Sequence, residues 1–320
     1  MKRCFGSMAA LIVAALAAGA HAQAFPTKPI RVIVSFPPGG ATDTFSRALA
    51  AEMTPSLGQQ VIVENRPGAG TIIAAEFVVK APADGYTLLF TDLSTHAITR
   101  SIYTKLKYDP LRDFAAVAAV NVSPLLLVAH PSVNVKSVRE LVALAKRHPG
   151  ITVGNSGIGT VTHMTAEKFR LRAGIEVTPV SYKGGSLPVI ALLSGEIAMV
   201  MATIPASIQH VQRKRLVALG LAAERRSSFL PDIPAIGETV KGVEGAVISG
   251  VLAPAGTPRE VIARLNMEFA KASESAKVKE VFAANAAETL KMDPGEVQRS
   301  LERDAKGWAE VVKATGVTVN

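Results

Sequence analysis

Short apolar runs alternate with helical patterns along nearly the whole chain. The runs are IRVIVSF (30–36), QVIVEN (60–65), YTLLFT (86–91), LLLVAH (125–130), ITVGN (151–155), VTPVSY (177–182), IAMVMA (197–202) and LVALGLA (216–222). Their continuous apolar character is that of strands covered on both faces, which predicts an α/β layout with parallel sheets. Met199 and Met201 alternate within one such run and read as core residues. Helix starts are marked by SVRE (137–140), TPRE (257–260) and DPGE (293–296), each with a capping residue followed three positions later by Glu. Pro258 stands at the favoured first helical position of the second of these.

Four strand-to-helix junctions share one design. VSFPPGGATD (34–43), VENRPGAGTI (63–72), VGNSGIGTVTH (153–163) and SYKGGSLP (181–188) each place glycines between an apolar run and a helical pattern. In open α/β sheets, loops at the carboxyl ends of parallel strands are where ligands bind. A helix start also offers unpartnered N–H groups and partial positive charge, which suits an anion. None of the junctions ends in Gly-Lys-Ser/Thr, and GIGTVTH supplies only half of a dinucleotide fingerprint. Loops rich in N–H and hydroxyl donors fit a carboxylate better than a polyphosphate. Ser156 and Thr160 supply hydroxyls, and His163 lies one turn into the helix, placed to cap, pack or touch a ligand. Asp43 reads as a first-turn charge or a pocket acceptor, and Lys183 as the partner of an acid or of a ligand. Ser94 and His96 follow the third run, where His96 is either a pocket donor or a surface residue.

Composition narrows the classes. Lys2 and Arg3, the apolar stretch MAALIVAALAAGA and the small-residue sequence AHA predict a cleavable signal peptide over residues 1–22. The apolar stretch is too short to span a membrane, and no later segment reaches that length free of charges. Cys4 falls in the leader, so the remaining chain of about 300 residues carries no cysteine and relies on a large core. At 48% hydrophobic residues it can supply one. The remaining net charge of about +7 is dispersed, and only 5% of residues are aromatic, which argues against nucleic acid.

Catalysis finds little support. The six histidines contain no i,i+4 pair, so metal-ligand spacing is missing, and no cofactor is expected. GNSGIG resembles a nucleophile elbow, but Ile158 stands where its second glycine is needed.

KPIRVIVSFPPGGATDTFSRALA, VENRPGAGT, ADGYTLLF, KLKYDPLRDF, GNSGIGTVTHMTAEKF, YKGG and VLAPAGTP together resemble the substrate-binding receptors of tripartite tricarboxylate transporters, the Bug/TctC family, from about Pro26 to the C-terminus. The resemblance implies a periplasmic binding protein of type II-like architecture, two α/β lobes closing on a solute. Lobe 1 is expected over 24–122 and 252–320, lobe 2 over 123–251. It implies that the first loop (Phe36, Pro38, Gly39, Gly40, Ala41, Thr42, Asp43) and the loop of Ser156, Gly157, Gly159 and Thr160 clamp one carboxylate through backbone groups and ordered waters. Tyr182, Lys183 and Gly184 would line the second lobe. The implied partners are a carboxylic acid and a large and a small membrane permease subunit. A periplasmic sensor and an enzyme on a binding-protein scaffold stand as alternatives. Two departures from the family pattern bear on specificity: Ala198 replaces the usual acid of G-x-V-D, and no Trp precedes GVLAPAGTP.

Overall fold

The computed structural model describes residues 25–319, so the expected leader and Cys4 lie outside the described residues. The first half runs β1 (Ile30–Val34), α1 (Ala41–Leu57), β2 (Val61–Asn65), α2 (Ile72–Val79), β3 (Thr87–Asp92), α3 (Leu93–Ile102), β4 (Phe114–Ala129) and α4 (Val138–Arg147). It continues through β5 (Ile151–Asn155), α5 (Val161–Ala173), β6 (Val177–Ser181), α6 (Ser186–Leu193), β7 (Met199–Thr203), α7 (Ile204–Gln212) and β8 (Val217–Leu221). The closing part is β9 (Ala246–Pro254), α8 (Arg259–Ser273), α9 (Ala276–Ala284), β10 (Glu288–Thr289) and α10 (Pro294–Thr315).

All eight apolar runs form strands, and the sheet order is β2-β1-β3-β9-β4-β7-β5-β6, with β8 and β10 also pairing β4. Parallel pairing holds for β1 with β2 and β3, and for β5 with β6 and β7. Two strands add antiparallel pairing that the run pattern does not predict. β4 begins at Phe114, well before the LLLVAH run, and β9 is absent from that pattern altogether. Ala-rich FAAVAAV reads equally as helix, and Asn121, Ser123 and Pro124 interrupt its apolar pattern. β4 pairs with β9 from Phe114 to Pro124 and with β7 from Leu125 to Ala129, so one strand serves both halves of the molecule.

Helices cover both faces of each half. α1, α8 and α9 pack Phe45, Leu49, Leu265, Phe269 and Phe282 onto one face of the first. α2, α3 and the start of α10 cover its other face through Ala74, Ala97 and Leu301. In the second half, α4 and α5 pack Leu141, Met164 and Phe169 against Leu125, Leu127, Met199 and Met201. Opposite them, α6 and α7 place Leu192 and Ile208 on Leu126, Val128 and Val200. Such two-sided coverage explains why the strands read as unbroken apolar runs. The described residues contain no helix long and apolar enough to cross a membrane.

Capping follows the sequence at two of three helix starts. Ser137 accepts from the Glu140 N–H at 3.2 Å, and Asp293 and Glu296 form a reciprocal box. The TPRE start is a correction: Thr257 donates its hydroxyl back to the Pro254 carbonyl at 2.8 Å, and Pro258 is itself the extended residue before the helix.

Gly250 of β9 lies under α3. A Cβ there would sit 2.6 Å from Cγ and 2.8 Å from Cδ2 of the buried Leu93. Gly250→Ala is expected to cost about 1–3 kcal/mol through overpacking, read as a lower urea midpoint with an unchanged denaturant slope.

Candidate functional site

The glycine-rich junctions converge. The β1–α1, β5–α5 and β6–α6 loops meet across the gap between the two halves and enclose a cavity of about 280 Å³. Phe36, Pro38, Gly40, Ala41 and Thr42 line it from one side, and Ser156, Lys183 and Gly184 from the other. The halves approach closely here because Gly184 has no side chain. A Cβ at Gly184, whose φ is +109°, would lie 2.8 Å from Pro37 Cγ. The second junction opens onto a neighbouring chamber of about 810 Å³, together with Gly157, Thr160 and Tyr182. The two chambers share Phe36, Pro37, Ser156, Lys183 and Gly184 as common walls.

Helix starts supply the donors. α1 begins after Gly40 and α6 after Gly185, and among the described residues no side chain caps either. Their first-turn N–H groups lack intrahelical acceptors by construction. α5 is built differently. Thr160 caps it, and the Val161 N–H donates to Thr95 Oγ1 at 3.0 Å, joining α5 to α3 across the floor. Beside that start, Ser156 Oγ and Thr162 Oγ1 lie 2.7 Å apart, and Thr160 Oγ1 is 2.9 Å from Thr162 Oγ1. The cavity is thus bordered by N–H and hydroxyl donors, an arrangement fitted to an anion.

Asp92 and Thr95 are floor residues missed by the sequence reading, which chose Ser94 and His96 from the same segment. Asp92 caps α3 and accepts from the N–H groups of Ser94 and Thr95, the Thr95 hydroxyl and the Ile248 N–H. Burial pushes its carboxyl up to about 6, against those four donors, which favour the charged form. The legible signal was an Asp at a strand end, three residues before a Thr, opening a helix. Val161, Thr162, Gly185, Ser186, Leu187, Thr203 and Val247 also line the cavity. Most of these lie within a few residues of the quoted junctions.

Other candidates sit behind the walls rather than on them. Asp43 is buried and accepts from the Gly39 N–H at 2.9 Å, Arg47 Nε at 2.9 Å and Asn65 Nδ2 at 2.8 Å. Burial opposes its ionisation, yet the hydrogen bonds from Arg47, Gly39 and Asn65 hold it below the usual carboxylate range. Asn65 also donates to the Phe36 carbonyl, so Asp43 and Asn65 brace the first loop from outside. Gly39 therefore spends its N–H on Asp43. Gly159 packs over Ile102 and Tyr103, and its N–H faces His163 Nδ1 at 3.2 Å. Burial lowers the His163 pKa, leaving a neutral ring that braces its own loop. His96 is fully buried between Tyr108 and Phe114, with Nε2 2.9 Å from the Pro110 carbonyl, and burial lowers it to about 4. Ser94 faces a separate groove with Lys168 and Trp308. Tyr182 donates its hydroxyl to Glu196 at 3.1 Å.

Of the two departures, Ala198 precedes β7, whose opposite end carries the lining residue Thr203, a strand length of about 17 Å away. The missing Trp corresponds to Ser249, buried and in register with Asp92 and Asn121. Among the described residues, no group of His, Cys, Asp and Glu is placed to hold a metal ion.

A family model described as the tripartite tricarboxylate transporter family receptor matches residues 45–317. The protein BugT of Bordetella pertussis (strain Tohama I) is 35% identical over 96% of this chain and 95% of its own length. Among solved structures, one from R. palustris with adipate has 32% identity and a TM-score of 0.87, covering 92% of this chain and 99% of that one. MatC from Rhodopseudomonas palustris, with bound malate, has 29% identity and a TM-score of 0.84 over 90% of this chain and all of its own. The periplasmic binding protein BugD has 28% identity and a TM-score of 0.85, covering 92% of this chain and 99% of its own.

Asp43 supports the loop electrostatically, so Asp43→Asn should lower stability at about pH 7 by about 2 kcal/mol, the scale of a charged hydrogen bond. Because the folded pKa is depressed, that stabilisation is fully present above the ordinary value of 3.8 and is lost as pH falls from there through the depressed folded value. Urea unfolding at about pH 7 and about pH 3 checks this: the gap between parent and variant should narrow at the lower pH.

Proposed function

This chain belongs to the tripartite tricarboxylate transporter receptor family, with the two-lobed binding-protein fold, and on that premise we propose that it is a periplasmic receptor for a small organic acid. One carboxylate is held in the inner cavity between the uncapped starts of α1 and α6, with the Ser156–Thr162 hydroxyls beside it. The observation that carries this reading is that the uncapped helix starts of α1 and α6 border one cavity from its two sides, with Thr203 at the uncapped start of α7 lining it as well. The loaded receptor would then deliver its acid to a large and a small membrane permease subunit.

The lobes we assign follow the strand pairing. The chain crosses between them near Pro124 and again near Ala246, which are partners in β4 and β9. On that assignment the second crossing falls a few residues ahead of the 252 expected from sequence. Closure about that strand pair would bring Gly184 onto Pro37 and seal the acid from water.

The energies suit a retained but releasable ligand. Hydrogen bonds to a charged group contribute about 1.5–3 kcal/mol each, and each helix start about 0.3–1 kcal/mol. Four or five such donors supply about 6–15 kcal/mol before ordering costs are deducted, a range that brackets the roughly 8 kcal/mol of micromolar binding. The one hydroxyl–carboxylate pair among the described lining residues, Thr95 and Asp92, is taken up in structure, since Thr95 also accepts the Val161 N–H and Asp92 caps α3 and accepts from Ile248. The reading is of stoichiometric binding rather than turnover.

Gly40→Val provides the test. A Cβ at Gly40 meets only the Pro37 carbonyl oxygen at 3.7 Å, and its φ of −83° suits any residue, so the variant should fold. Its side chain would obstruct the α1 N–H groups. Native mass spectrometry of the parent should show one co-purifying carboxylic acid, and calorimetry with that acid should find affinity reduced by about a hundredfold or more, the equivalent of losing two charged hydrogen bonds. Unchanged affinity in a folded variant overturns the clamp.

A further inference from the structure

The outer chamber is the feature that the clamp leaves unexplained. Its walls come from four separate segments: Pro67 and Ile73 around the second junction, Tyr103 at the end of α3, Ile158 of the β5–α5 loop and Val319 near the C-terminus. Ile73 is 50% exposed and Ile158 47% exposed, and Leu187, which lines the inner cavity, is also 47% exposed. Large apolar side chains left open in a concave site mark a surface to be covered by a ligand. The chamber adjoins the inner cavity, with Phe36, Pro37, Ser156, Lys183 and Gly184 lining both, so an acid clamped in the inner cavity is the nearest candidate to extend into it.

Charge limits what that ligand carries. Lys183 is the only cationic side chain lining either chamber, and Asp92 the only acidic one, among the described residues. The Asp92 oxygens already accept four hydrogen bonds, and Asp92 lines the inner cavity and not the outer chamber. One lysine and one amide clamp leave a small tricarboxylate with charge that nothing neutralises. Burial of such an unpaired charge is expensive.

We infer that the outer chamber binds the apolar body of the ligand, and that this receptor prefers a monocarboxylate with an extended apolar body over small, highly charged acids. The inference rests on the carboxylate clamp of the inner cavity. It assigns Ile73 and Ile158 as specificity residues and leaves the clamp donors untouched.

Titration calorimetry of the full receptor with 3-phenylpropanoate, octanoate, malate and citrate, at one ionic strength, tests it. Both apolar acids should bind at least about tenfold more tightly than malate, with citrate weakest, as expected for covering one or two apolar side chains. Ile73→Asn should weaken 3-phenylpropanoate about tenfold and leave malate within about twofold, and Ile158→Asn should weaken the apolar acids in the same direction. Thermal melts of both variants establish that they are folded. If malate or citrate binds more tightly than both apolar acids, or if both folded variants leave 3-phenylpropanoate affinity unchanged, the assignment falls while the clamp stands. If none of the four acids binds and native protein carries no acid, the clamp falls and the assignment with it.

Discussion

Backbone N–H groups in the first turn of a helix have no acceptor inside that helix, and the site follows from where two such turns are aimed. A capped start is electrostatically spent, because a Ser, Thr or Asp oxygen already occupies it. This chain caps α3 with Asp92, α4 with Ser137, α5 with Thr160 and α10 with Asp293. It places glycine before α1 and α6. Those two starts face each other across the gap between the halves, while the capped α5 contributes hydroxyls between them. An anion entering there completes a set of hydrogen bonds that the fold itself leaves open.

Holding the two starts in register falls to the antiparallel pair β4 and β9. β4 pairs in both halves, with register shifts near Ala116 and Ala119 in its ladder with β9, and the Ile248 N–H of β9 binds Asp92 on the cavity floor. Asp92 in turn orients Thr95, which receives the Val161 N–H from the other half. A buried carboxylate with all its acceptor sites filled is therefore the link between hinge, floor and α5. Its cost in desolvation is only partly offset by four donors, an arrangement that fixes geometry more than it adds stability.

The strands of each half were legible because two-sided helix coverage writes them as unbroken apolar runs, and the loops because glycine clusters punctuate those runs. Much of the clamp, from Phe36 to Thr42 and from Ser156 to Gly184, follows from that punctuation. The antiparallel elements were not legible. Alanines and isolated polar residues in 114–124 carry no period that separates strand from helix, and VISGVLAP reads as a motif rather than an element. Orientation was the other gap. Ser94 and His96 lie within one helical turn of Asp92 and Thr95 but point into a rear groove and into an aromatic core, and only the packing of α3 decides which pair meets the cavity. Asp43 and His163, expected among the ligand-binding residues, brace their loops from behind, because a buried loop must also satisfy its outer side.

An amide clamp recognises a carboxylate and little else, since helix starts and hydroxyls cannot distinguish one small acid from another. Discrimination then belongs to whatever surrounds the clamp. In a receptor built for several carboxylates, the surrounding walls need cations to replace the water stripped from each charge. Here those walls include Phe36, Pro37, Tyr103, Ile73, Ile158 and Leu187, with Lys183 the one cation among the described lining residues. Apolar walls gain affinity from area and lose it to every additional charge. On the proposed reading, the fold would recognise the head of a ligand through the backbone and its body through side chains, and only the second recognition is free to diverge without disturbing the first.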